Sequence, residues 1–376
     1  MSKKILPISY PMITSWQWHA TLFSIIGDDE KAKNWIFSNY IQLRCYNIEE
    51  IFTGDEMLLA DMMPGSSSLK ECPYLLFSLM TKEQVESYCG DILTFIKKTI
   101  NLGGYVYGVF DEAKILCDSG ADYKFPHELF IYGYDDEEQQ FYVGDFTFGE
   151  HYSYSKVSYS DVRNGYDTIT AQEDHIFKDD YKGRRGIYVI QKNLADTYYE
   201  LDTQYIKDTI IEYLESKDTK NHFRMMRNRF KDTVFGVDVY DAVLKQIGKQ
   251  LSAEDPDFDI RALHILYDHK VLMMERLKYM MDHGYIEFNG DILNDYMEVE
   301  NTSPPETFSS RLPSQARLTV WTDLRSTLWV QKKKRSQFWA KLLSFCNLIS
   351  FFSCFPFAGQ SYGCSAFFCD FTLFYK

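Results

Sequence analysis

His127 and Asp145 are side chains whose types and spacing suit proton transfer. They close the two ends of the stretch His127–Phe146, HELFIYGYDDEEQQFYVGDF. Two apolar runs, Leu129–Tyr134 and Phe141–Phe146, flank a charged connector, the pattern of a β-hairpin. A turn centred near Asp136 pairs Leu129 with Val143, Ile131 with Phe141 and His127 with Asp145, all on one face because side chains alternate along a strand. A carboxylate holding one imidazole N–H leaves the other ring nitrogen free to act as a base. The same two residues also suit an ordinary strand start and strand end, and a slip of one residue would part them.

The elements that must present this pair are legible in outline. Ser15–Ile26 (SWQWHATLFSII) has Trp18, Leu22, Ile25 and Ile26 at helical spacing, with Thr14 or Ser15 as N-cap. A short helix or a loop follows over Lys31–Tyr40, and a strand is expected near Cys45–Ile51. Thr81–Ile100 reads as one long helix capped by Thr81, ended by Gly103-Gly104. Tyr105–Phe110 (YVYGVF), Tyr152–Val157 and Ile187–Gln191 read as strands around the hairpin. Residues 1–195 therefore read as α+β, helices first and an antiparallel sheet after. Residues 196–302 carry helical stripes, among them Tyr240–Leu251 and Leu263–Met281, and are expected to form an all-α helical bundle. His264 and His269 in the last stripe read as packing or surface residues.

Composition sets the remaining bounds. A net charge of −14 argues against a nucleic-acid partner. The eight cysteines show neither a CxxC pair nor zinc-ligand spacing, so no metal and no cofactor are expected. Their scatter, and an N-terminus without an apolar run, read as cytoplasmic. Residues 303–376 differ from the rest: they hold three of the 54 acidic residues, nine of the 40 basic ones and half of the cysteines. Leu342–Gly359 is uncharged and long enough to weigh as a membrane span, but Pro356 interrupts it. The segment reads as an atypical tail, frame-shifted or disordered, rather than an anchor.

The string His127-Glu-Leu-Phe-Ile-Tyr-Gly-Tyr-Asp, a charged turn, then Phe141-Tyr-Val-Gly-Asp145-Phe resembles the N-terminal domain of butirosin biosynthesis protein H, a family of papain-like fold near the bacteriocin-processing cysteine peptidases. The resemblance covers roughly residues 5–195. It implies a nucleophilic Cys opening the first core helix, with His and Asp on the sheet, and acyl transfer from a carrier protein's thioester or amide hydrolysis. Gln17, Trp18 and His19 are the substrate-binding candidates beside that helix start: Gln17 suits an oxyanion donor or an ordinary exposed residue, and His19 a remnant site residue or a packed one. Positions 14–22 read TSWQWHATL and contain no Cys. Two readings follow. One is an accessory protein of natural-product (antibiotic) biosynthesis, a pseudoenzyme that binds an acyl or peptidyl carrier protein or a peptide. The other is an active acyltransferase or amidase using Ser15, or a relocated Cys, with His127 and Asp145. A third reading, independent of the resemblance, is a membrane-anchored α+β interaction protein. The acidic balance disfavours an acidic carrier unless Lys182–Arg185, otherwise a solvated turn, serves as its dock.

Overall fold

The computed structural model of the chain describes residues 2–49, 56–62, 68–115, 123–146, 151–175, 184–195, 199–219, 233–251 and 259–286, with 332–333 and 336–337. Phe223–Phe230 and Gly290–Glu300, which also carry helical patterns in the expected bundle, and the stretch Leu342–Gly359 lie outside them. Among the described residues no helix is long and apolar enough to cross a membrane.

The fold is α+β, built on an antiparallel seven-stranded sheet. Its strands are β1 (Lys3–Ile5), β4 (Leu75–Thr81), β5 (Tyr105–Asp111), β6 (Pro126–Asp135), β7 (Gln140–Asp145), β8 (Ser153–Ser158) and β9 (Gly186–Lys192). The order is β4-β9-β5-β6-β7-β8. β6 is long enough to take two partners along one edge: β5 against Pro126–Ile131 and β1 against Gly133–Asp135. Tyr105, Val106, Phe110, Leu129, Phe130, Ile131, Phe141 and Val143 are all buried, which is why this part of the sheet reads as near-continuous apolar runs. A smaller sheet joins β2 (Arg44–Glu49), β3 (Glu56–Asp61) and β10 (Val234–Phe235).

Helices α1 (Gln17–Ile26) and α2 (Glu30–Asn39) precede the sheets, and a short α3 (Ser68–Glu71) leads to β4. The expected helix over Thr81–Ile100 is two: α4 (Lys82–Cys89) and α5 (Ile92–Asn101). Gly90, at φ +82°, stops the first, and the Asp91 carboxylate accepts from the N–H groups of Leu93 and Thr94 to start the second. Thr81 caps α4 as expected, in a reciprocal pair with Gln84. The cap of α1 differs: Trp16 stands at the N-cap position and no side chain caps it. α6 (Glu112–Ile115) follows β5, and α7 (Tyr159–Thr168) follows β8.

The hairpin forms, in another register. Ile131 pairs with Val143, a bulge follows, and Gly133 and Tyr134 pair with Tyr142 and Phe141. The shift preserves which face each residue occupies, because Ile131 and Val143 each keep their parity. Continuing the pairing places Asp145 opposite Leu129, one diagonal step from His127.

Of the region after 196, the described residues hold helices α8 (Thr203–Leu214), α9 (Val239–Leu251) and α10 (Arg261–Asp282). α8 packs on α2, α9 on the small sheet and α10 on β3. The Arg276 guanidinium, fully buried, donates to the carbonyls of Phe37 and Tyr40 at 2.6 Å each, and the His269 ring contacts the Ile41 carbonyl at 2.7 Å. One apolar core runs from α1 and the large sheet through to α10.

Candidate functional site

His127 opens β6, directly opposite Phe110 of β5. Glu112 lies two residues past Phe110, so it faces His127 diagonally from one side, as Asp145 does from the other. Glu112 Oε1 is 2.7 Å from His127 Nδ1, and Asp145 Oδ1 is 3.5 Å from the same nitrogen. Both carboxylates are buried, while a quarter of the His127 side chain remains exposed. The Phe125 ring stacks on the imidazole at 5.7 Å and an interplanar angle of 3°, fixing its plane, and the Phe146 ring meets its edge. Glu112 is held in turn by its N–H donating to the Phe125 carbonyl, and Asp145 Oδ1 accepts from the Phe146 N–H at 2.6 Å.

Two acids against one base leave this trio rich in negative charge. Burial, and then the charge of Asp145, push the Glu112 carboxyl up to about 8 against the pull of His127. Burial alone would lower His127. The two carboxylates outweigh it and hold the imidazole well above its ordinary value. The other ring nitrogen, Nε2, faces Glu128 Oε2 at 3.9 Å, and Glu128 Oε1 contacts His175 Nε2 at 3.1 Å. Burial opposes charge on Glu128, but His175 and then His127 hold it down at about 2.

Of the remaining residues singled out in the sequence, Gln17 is bonded to the strand that carries Asp145. It is buried in the first turn of α1, and its amide donates to the Gly144 carbonyl at 2.7 Å, next to Asp145. The start of α1 is thus tied to the strand that carries the acid. Ser15 is turned to another partner. Its backbone N–H and that of Thr14 donate to Asp268 Oδ2 of α10 at 2.7 and 2.8 Å, and no hydrogen bond joins Ser15 to His127. The nucleophile–base contact that Ser15 catalysis needs is not formed.

His19 and Trp18 are placed elsewhere. His19 has no exposed surface, and its Nε2 meets Asp61 Oδ1 of β3 at 2.8 Å, beside Arg44 on the same carboxylate at 3.2 Å. A ring so enclosed offers no face to a substrate: it joins α1 to the small sheet. Trp18 is half-buried and stacks on Trp16 at 4.7 Å. Of the cysteines raised as relocated nucleophiles, burial pushes the thiols of Cys45 and Cys72 each up to about 12, so both are protonated at neutral pH. The dock expected at Lys182–Arg185 loses a member. Arg185 is buried and donates to the carbonyls of Tyr166, Ile169 and Val109, a structural role rather than a solvated turn.

Glu112, Glu128, His175 and Asp268 are absent from the sequence reading. Glu112 could have been found there: pairing Tyr105–Phe110 with the first half of the hairpin sets Phe110 against His127 and carries Glu112 to the diagonal. Asp268 carries no local signal, since its partners lie more than 250 positions away.

No family model matches this sequence, and no curated protein matches it.

Proposed function

We propose that this chain is a papain-like accessory protein of peptide or other natural-product biosynthesis, similar in fold to the N-terminal domain of butirosin biosynthesis protein H, that binds an acyl or peptidyl substrate without forming a thioester to it. The observation that carries the reading is the Gln17–Gly144 hydrogen bond. It sets the first turn of α1 beside the His127–Asp145 strands, where a thiol nucleophile would stand, and the residues there are Ser15, Trp16 and Gln17 instead. With no thiolate to pair with, the imidazole is left as a polar anchor at the end of the sheet. The buried Arg185, spent on backbone carbonyls, takes one cation from the basic dock for an acidic carrier, which favours a peptide or a small acyl group as the partner.

The test uses the full chain and an acyl N-acetylcysteamine thioester with an amine acceptor. Saturable binding by calorimetry, with no acyl adduct by intact mass and no amide product, is expected. An acyl adduct that maps to Ser15 and is lost in Ser15→Ala would replace this reading with an active transferase.

A further inference from the structure

We propose that Glu112, His127 and Asp145 form a binding site for one divalent transition-metal cation of the zinc or manganese class, held by Glu112 Oε1, His127 Nδ1 and Asp145 Oδ1. The proposal goes beyond the acyl-binding reading and stands or falls separately from it.

The geometry carries it. The three candidate ligand atoms all lie within 4.8 Å of one another. A cation about 2.1 Å from each ligand sets neighbouring ligands roughly 3.0–3.4 Å apart for octahedral or tetrahedral angles. The 3.5 Å separation of His127 and Asp145 lies just above this range. The 2.7 Å separation of His127 and Glu112 needs opening by a few tenths of an ångström, which the rotatable Glu112 side chain can supply. The ligands come from three consecutive strands or their ends, so the backbone holds them together without any metal.

The chemistry agrees. Once the ion has displaced the protons on the ligands, two carboxylates and a neutral imidazole sum to −2, matching a dication, and a set of two oxygens and one nitrogen without sulfur favours zinc, manganese or ferrous iron over softer ions. The far side of the ring is also furnished. Metal-bound imidazoles commonly give their second N–H to a carboxylate, and Glu128 stands 3.9 Å from His127 Nε2, close enough for a small ring rotation to engage it. The quarter of the His127 side chain that is exposed provides an approach for the ion and for further water ligands. Cysteine spacing, the usual sequence sign of zinc, plays no part here, which is why the sequence alone points away from a metal.

The decisive experiment titrates the chelator-treated full chain with Zn2+ and, separately, Mn2+ by calorimetry. One-to-one binding is expected for at least one of the two ions, with a raised unfolding temperature. Glu112→Gln and Asp145→Asn, each shown to be folded by circular dichroism, are expected to weaken binding by about tenfold or more. No saturable binding of either ion below about 100 µM, or equal binding by both variants, would overturn the proposal. Should the variants fail to fold, the Co2+ spectrum of the unmutated protein decides. Ligand-field bands without thiolate-to-metal charge transfer support the site, and thiolate charge transfer would move the ion to cysteines and overturn it. Acyl-thioester binding in chelator-treated protein is measured in parallel, so that loss of one proposal leaves the other readable.

Discussion

Glu112 Oε1 sits 2.7 Å from His127 Nδ1, nearer than the Asp145 oxygen by 0.8 Å. The closest partner of the imidazole is therefore the residue that follows its neighbouring strand, not the one at the far end of its own hairpin. Removing it leaves a buried polar gap and a histidine whose remaining acids, Asp145 and Glu128, stand at 3.5 and 3.9 Å. Glu112→Ala is expected to destabilise the fold by ~3 kcal/mol, at the low end of what breaking a buried pair costs because His127 is partly exposed. Glu112→Gln keeps the shape and a hydrogen bond, so ~1 kcal/mol is expected. Urea unfolding of the two variants checks the ranking, and equal stabilities would show that the pair contributes only packing.

The Gly144 position tests the tie between α1 and the sheet. A methyl group there would stand 3.1 Å from the Phe130 ring and closer still to the Tyr152 hydroxyl, which packs against this backbone from β8's approach. Gly144→Ala should cost about 1–3 kcal/mol by overpacking and should displace the carbonyl that Gln17 binds. Tyr152→Phe removes the colliding oxygen. In that background Gly144→Ala is expected to cost less, and a double-mutant cycle by thermal or urea unfolding measures the coupling. Strict additivity of the two changes would show that the hydroxyl is not what limits this site.

What the sequence made legible follows the range of the physics. Local periodicity located β5, β6, β7, α1 and α10, because each buries a stripe or a face that repeats at its own period. It merged α4 and α5, since Gly90-Asp91 interrupts an apolar stripe that otherwise continues. β3 (EMLLAD) and β4 (LLFSLMT) escaped notice because neither alternates cleanly. The hairpin register slipped by two because the turn lies between Asp135 and Gln140, later than a turn centred on Asp136, and the bulge after Ile131 takes one residue of that offset back. Asp145 was still placed beside His127, since a shift of two conserves the face. The partners of His19, Ser15 and Arg185 were not legible for one reason: Asp61, Asp268 and Val109 come from distant elements, and side-chain type alone does not say which acid or carbonyl will meet it.

Asp61 makes the acid limb of the stability curve predictable. Burial opposes its charge, but His19 and then Arg44 outweigh this and hold its pKa down at about 2, below the 3.8 of a free carboxyl. A group depressed in the folded state contributes stability above its unfolded pKa and loses that contribution as pH falls through the folded value. The wild-type protein should thus lose on the order of 2 kcal/mol between about pH 4 and pH 2 from this residue. Asp61→Asn is expected to be less stable at neutral pH and to show a shallower decline over that window. Denaturant midpoints collected at several pH values check it, and parallel curves for the two proteins would show that Asp61 is not the group responsible.

Thiol reactivity separates the non-catalytic reading from one with a relocated nucleophile. Burial pushes Cys45 and Cys72 up to about 12, so at pH 8 both thiols stay protonated. Cys89, on α4, is only partly buried. Iodoacetamide treatment of the native protein, followed by peptide mass mapping, should alkylate Cys89 well before Cys45 or Cys72, and urea should abolish the difference. Under an acyl thioester neither buried cysteine should gain an adduct, and Cys45→Ala should leave substrate binding unchanged. Rapid alkylation of Cys45 in the folded state, or an acyl group recovered on it, would mean that the thiol is activated by a rearrangement of β2, and that the sulfur absent from α1 is supplied from the small sheet.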